Sequence, residues 1–132
     1  MTRFAIDGGT LVRLAESERP LADGHALVGR GSLRSDAMAI LYRDVRAGTR
    51  SEAEAKAMLE RVTAIRVRLL GDRVSRSTAW SIAREQGRAE IGDAEHLAVA
   101  RLQADALVTD DDALAAAADG VVPLAPFEDL LR

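Results

Sequence analysis

A chain of 132 residues, 48% apolar and free of cysteine, has room for one domain with a real core but cannot build a disulfide, a thiolate nucleophile or a zinc-thiolate site. No apolar run approaches the roughly 20 residues that span a bilayer, and Met1 to Asp7 lacks the pattern of a signal peptide, so a single cytoplasmic domain over residues 1–132 is expected, with no membrane partner. The net charge of −3 conceals an asymmetry, with residues 34–88 summing to +5 and residues 89–132 to −8, which joins a basic middle to an acidic end.

Arg3 to Asp7 reads as a short buried strand closed by Gly8-Gly9, after which Leu11, Leu14 and Ala15 fall at helical spacing as far as Glu16. A loop containing Pro20, Asp23 and Gly24 leads to a second strand at Ala26 to Val28. Gly31-Ser32 opens a helix striped by Leu33, Ala37, Leu41 and Val45, and Gly48 ends it. Ser51 followed by Glu54 is a capping-box signature for a helix with Ala55, Met58, Leu59 and Val62 on one face. Ile65, Val67 and Leu69 alternate with Arg66 and Arg68, predicting a half-exposed strand. A helix is predicted from Asp72 to Gly87 and another from Asp93 to Gln103. They are followed by a strand at Ala106 to Thr109, a short helix at Asp112 to Ala118 and a last strand at Val121 to Leu124. This alternation predicts an α/β fold with a parallel sheet, helices on both faces and right-handed crossovers.

In such a fold the carboxyl ends of the strands and the amino ends of the following helices share one edge, where ligands bind. Asp7 ends the first strand, Asp36 lies in the first turns of the helix after the second, Asp93 begins its helix, and Asp111 follows the strand ending at Thr109. The helix from Asp93 climbs about 15 Å and the next strand returns about as far, which brings Asp111 back to the same edge. Four carboxylates in a partly dry cleft repel one another unless they are protonated, solvated apart or holding a cation, and a cation is the economical answer. All-oxygen ligation without cysteine or clustered histidine suits a hard ion, Mg²⁺ or Mn²⁺, and the chemistry such an ion supports is phosphodiester hydrolysis by activated water.

Each acid taken alone has a plainer explanation. Asp7 suits a turn before two glycines, Asp93 and the run Asp110 to Asp112 suit helix caps, and Asp36 suits an exposed helix face. His96 reads as a surface residue, His25 as a loop residue, and Trp80 and Tyr42 as core or interface residues rather than base-stacking platforms. Arg34 and Arg43 are the candidates for RNA contact, although arginines on a helix are more often simply solvated. The common edge carries the inference, not any one acid.

Ile6-Asp7-Gly8-Gly9-Thr10-Leu11-Val12-Arg13-Leu14 resembles the opening of PIN-domain proteins, specifically VapC-type toxins of toxin-antitoxin pairs. Asp93 to Ala100, then Ala106-Leu107-Val108-Thr109-Asp110-Asp111 with Asp112-Ala113-Leu114-Ala115, resembles that family's helix-aspartate and strand-Thr-x-Asp pattern. The resemblance implies an α/β/α sandwich around a parallel sheet, a Mg²⁺- or Mn²⁺-dependent endoribonuclease, a homodimer and inhibition by a cognate antitoxin. It assigns Asp7, Asp93 and Asp111 as catalytic metal ligands, with Asp110 and Asp112 as second choices. Thr10 and Thr109 would hold the carboxylates in place. Asp36 departs from the glutamate usual near this position; one methylene shorter, it is expected to act through a metal-bound water. The alternative is a nuclease-impaired PIN domain that binds RNA or antitoxin. A phosphoryl-accepting receiver-like domain lacks its lysine on a late strand, since the one lysine, Lys56, is mid-chain.

Overall fold

The fold is built on strands that are apolar on both faces. In β1 (Thr2–Ile6) Phe4 and Ile6 face one core while Ala5 faces another; β4 (Ala106–Val108) divides the same way, with Ala106 and Val108 opposed by Leu107. Such two-sided burial is the signature of a parallel sheet covered on both faces. In this computed structural model, which describes residues 1–132, β2 (His25–Arg30) and β3 (Arg68–Leu70) complete a four-stranded parallel sheet of order β3-β2-β1-β4. Helices α1 (Gly8–Glu16), α2 (Leu33–Ala47) and α3 (Glu52–Ala64) close one face through Leu11, Leu14, Leu33, Leu41 and Val62. Helices α4 (Arg73–Glu85) and α5 (Gly92–Gln103) close the other through Ala79, Ile82, Leu97 and Ala98, and a six-residue α6 (Asp112–Ala117) adds Leu114. The result is the expected α/β/α sandwich. No helix is long and apolar enough to cross a membrane.

Four helices begin at a side chain that accepts the N–H three residues on: Asp7, Ser51, Asp72 and Asp111. Two expected strands come out differently. The alternating stretch from Ile65 is shortened because α3 runs to Ala64 and Ile65 still donates its N–H to the Arg61 carbonyl; only Val67 of the alternation is buried, and pairing starts at Arg68. Val121 to Leu124 is not a strand but makes one isolated parallel bridge, Leu107 to Leu124. Pro123 has no N–H to donate, so the ladder is limited to the Leu107 N–H to Pro123 carbonyl and Ala125 N–H to Leu107 carbonyl bonds. The chain then closes the first core with Phe127 and Leu130 from a 3₁₀ turn (Phe127–Leu130) that periodicity does not reveal.

Candidate functional site

β1 lies inside the sheet between β2 and β4, and its carboxyl end delivers Asp7, only 8% exposed, to the edge. Oδ1 accepts the Thr10 N–H at 3.0 Å and lies 2.7 Å from the Thr10 hydroxyl, whose one proton is also within reach of the Val108 carbonyl at 3.0 Å. Oδ2 accepts the Thr109 hydroxyl, which in turn accepts the Asp111 N–H at 3.0 Å. Asp7 is therefore oriented from both sides, by α1 and by the end of β4, and Thr109 couples it to the backbone of Asp111. The Asp111 carboxylate itself caps α6 through the Leu114 N–H at 3.0 Å. Asp110 is turned away into an ion pair with Arg13 at 2.8 Å, and Arg13 also lies over the Phe127 ring.

Asp36 reaches this edge because Gly8 has no side chain. A Cβ on Gly8 would stand 2.8 Å from Asp36 Cβ and 3.1 Å from Ala37 N, so the absence of one lets α1 and α2 approach beside Asp7. The Asp36 carboxylate does not project freely into the cleft as the sequence suggests. It accepts the Nε–H of Arg30, the last residue of β2, at 2.7 Å, with Ser32 Oγ at 3.4 Å. Arg30 Nη1 donates to the Gly92 carbonyl at 3.1 Å and lies 3.5 Å from Glu95, so one guanidinium ties the start of α2 to the start of α5. Asp93, next to Gly92, accepts from Arg88 Nη2 at 2.7 Å.

The electrostatics register the same convergence. Burial works against the Arg30 charge, but the Asp36 hydrogen bond and the charges of Asp36, Glu95 and Asp93 outweigh it and raise its pKa above the ordinary value. His96, expected on the surface, is buried, and its Nδ1 has no partner. Burial, and after it the Arg30 charge, lowers its pKa below 6.5 against the opposing pull of Asp7, Asp36 and Asp93. The three acids that act on this imidazole belong to three different elements.

The donor set suits a hard ion, but the side chains as placed do not assemble one site: no three acidic or imidazole groups are close enough to share an ion. Asp36 and Asp93 are neutralised instead by Arg30 and Arg88. Sequence reasoning missed both arginines; Arg30 ends a strand at the same edge as the acids, and that position was the available signal. Arg34 Nη2 donates to the Ile65 carbonyl at 3.0 Å and its Nε is buried, which fastens α2 to the end of α3. Arg43 is exposed on α2 without an ion-pair partner. Tyr42 and Trp80 are not core residues, being 68% and 69% exposed.

No protein-family model matches the chain, and no curated protein matches it. The fold is similar to the crystal structure of PAE2754 from Pyrobaculum aerophilum, with a TM-score of 0.69 at 24% identity over 98% of this chain and 92% of that one. At that identity the likeness establishes the architecture, an α/β/α sandwich on a parallel sheet.

Proposed function

We propose that the chain is a PIN-type endoribonuclease dependent on Mg²⁺ or Mn²⁺, acting in the cytoplasm as the toxin of a toxin-antitoxin pair and working as a homodimer restrained by its antitoxin. The observation that carries this reading is Asp7, a buried carboxylate at the end of an interior strand, oriented by Thr10 and Thr109, with Asp36 held by Arg30, which also binds the Gly92 carbonyl beside Asp93. Carboxylates at a partly dry edge are expensive unless compensated, and these stand at strand and helix ends, where parallel sheets bind ligands. Asp7, Asp93 and Asp111, with Asp36, are the residues that would hold the ion. When bound it supplies an activated water and neutralises charge on the phosphoryl group. The chain's own part is to fix Asp7 through the two threonines and to release Asp36 and Asp93 from Arg30 and Arg88.

A second reading, an RNA- or antitoxin-binding module without nuclease activity, is favoured by those same two ion pairs, which neutralise half of the acid set. The two are separated by incubating a structured RNA with the purified protein in Mn²⁺. The nuclease reading expects cleavage that EDTA and Asp7→Asn both abolish, the latter by about 100-fold or more, as loss of a group that stabilises developing charge commonly costs. RNA that is bound yet stays intact in Mn²⁺ sinks it and leaves the binding module.

A further inference from the structure

Helix α4 buries Ser75, Ala79, Ile82 and Ala83 against the sheet side and turns its one tryptophan outward. Arg73, Arg76, Trp80 and Arg84 recur at intervals of three and four residues, so they form a single exposed stripe. None of the three arginines has a carboxylate within ion-pair distance. From residue 73 to 88 the chain carries four arginines against one acid, Glu85. At the end of the helix a cleft of about 350 Å³ is lined by Trp80, Arg84, Arg88, Glu90 and Ile91. Arg88, which lines the cleft, also holds Asp93 at 2.7 Å, so the cleft lies one side chain from the acid edge.

We infer that this stripe is a platform for single-stranded RNA, with a base stacked on Trp80 and the backbone phosphates on Arg84 and Arg88. An indole with an open face stacks on any base, and the guanidinium groups beside it, Arg84 without a carboxylate partner and Arg88 shared with Asp93, match a polyanion in charge and in the planar fork that phosphate accepts. A protein partner would need a larger apolar patch than this one, where only Val74 and Ile91 accompany Trp80 among the exposed large apolar residues of this part of the chain. A strand seated along α4 runs toward Asp93, and a phosphate at Arg88 competes with that carboxylate for the guanidinium. Ligand arrival and release of the acid are then one event. The inference rests on the RNA-directed reading above and adds where the strand lies.

The test is binding in EDTA, so that nothing depends on cleavage, of a single-stranded oligouridylate of about twelve nucleotides, long enough to cover such a groove. Because Trp80 is the only tryptophan, its emission reports contact directly, while the anisotropy of an end-labelled copy reports binding anywhere. The expected result is quenching of Trp80 with the same midpoint as the anisotropy change, binding about tenfold weaker in Trp80→Ala, and near-native binding in Trp80→Phe, which keeps a stacking ring. Arg84→Ala should lower the slope of log affinity against log salt by about 0.7, one single-strand phosphate contact. RNA that binds without quenching and equally well to Trp80→Ala overturns the platform and leaves the RNA-directed reading standing. No binding at all sinks both. A Trp80 emission shift that follows protein concentration without RNA, together with a dimer that Trp80→Ala breaks, would make the stripe a contact between two copies and overturn the inference.

Discussion

His96 stands on α5 one turn after Asp93, buried, with Nδ1 facing no hydrogen-bond partner. Putting a proton on it costs desolvation and brings a second cation near Arg30, and the three acids around it do not fully compensate. Its folded pKa lies below 6.5, so between the two values the unfolded chain binds a proton that the folded chain refuses. The stability this contributes is fully present above 6.5 and is lost as pH falls through that value toward the folded pKa. Urea midpoints taken from about pH 7.5 down to about pH 5 should therefore fall more steeply for the native chain than for His96→Gln, which keeps bulk but does not titrate. Parallel slopes would mean that His96 is not the source of the acid sensitivity.

The junction of β1 with α1 shows how an element positions a site. Asp7 directly follows the last strand residue, Ile6, and is the cap of the helix, so the carboxylate faces the edge wherever that helix forms. Gly8 and Gly9 look equivalent in sequence but are not. A methyl on Gly8 meets Asp36 Cβ at 2.8 Å and the backbone of residues 36 and 37 at 3.1 Å, whereas one on Gly9 meets only Asp7 Oδ1 at 3.9 Å and Ile40 at 4.0 Å. Replacing glycine stiffens the unfolded chain and by itself stabilises by about 0.4–1 kcal/mol. Overpacking against backbone costs about 1–3 kcal/mol and wins at Gly8. Gly8→Ala should lower the denaturation midpoint and push Asp36 from the edge, and Gly9→Ala should be neutral or slightly stabilising. Equal effects at the two positions would mean that α1 and α2 adjust freely, and that their close approach does not hold Asp36.

Across the whole molecule, the acidic edge is balanced by two arginines that each precede their acid by five or six residues, Arg30 from the end of β2 with Asp36 and Arg88 from the turn before α5 with Asp93. A divalent ion would have to compete with them. Mg²⁺ or Mn²⁺ at millimolar concentration should raise Tm by mass action, and Arg88→Gln should enlarge that rise by removing the competitor. Asp93→Asn should reduce it. The neutral-pair reading of the edge expects the reverse: Arg88→Gln lowers Tm in EDTA because Asp93 loses its partner, and added ion restores little. If neither the native chain nor Arg88→Gln responds to either ion, the acids are not an ion site and the nuclease proposal falls with it.

The sandwich, the order of its elements, the capping serine at 51 and the placing of all four acids near strand or helix ends are legible in the sequence. Each depends on interactions within about four residues, or on an apolar period that one-dimensional order records. The last strand expected at Val121 to Leu124 ignored Pro123, whose missing N–H limits that segment to one bridge. What the carboxylates actually touch was decided by tertiary structure: Thr109 reaches Asp7 across 102 positions and Arg30 reaches Gly92 across 62. The burial of His96 was decided there too, because α5 packs on α4 and α6 as well as on the sheet, and its periodicity does not say which flanks they cover. So was the exposure of Trp80, an indole that its own composition would send inward. Charge pairing and burial are set by what comes to lie alongside, and only the folded chain brings Arg30 beside Gly92 and Glu95 and leaves the outer face of α4 uncovered.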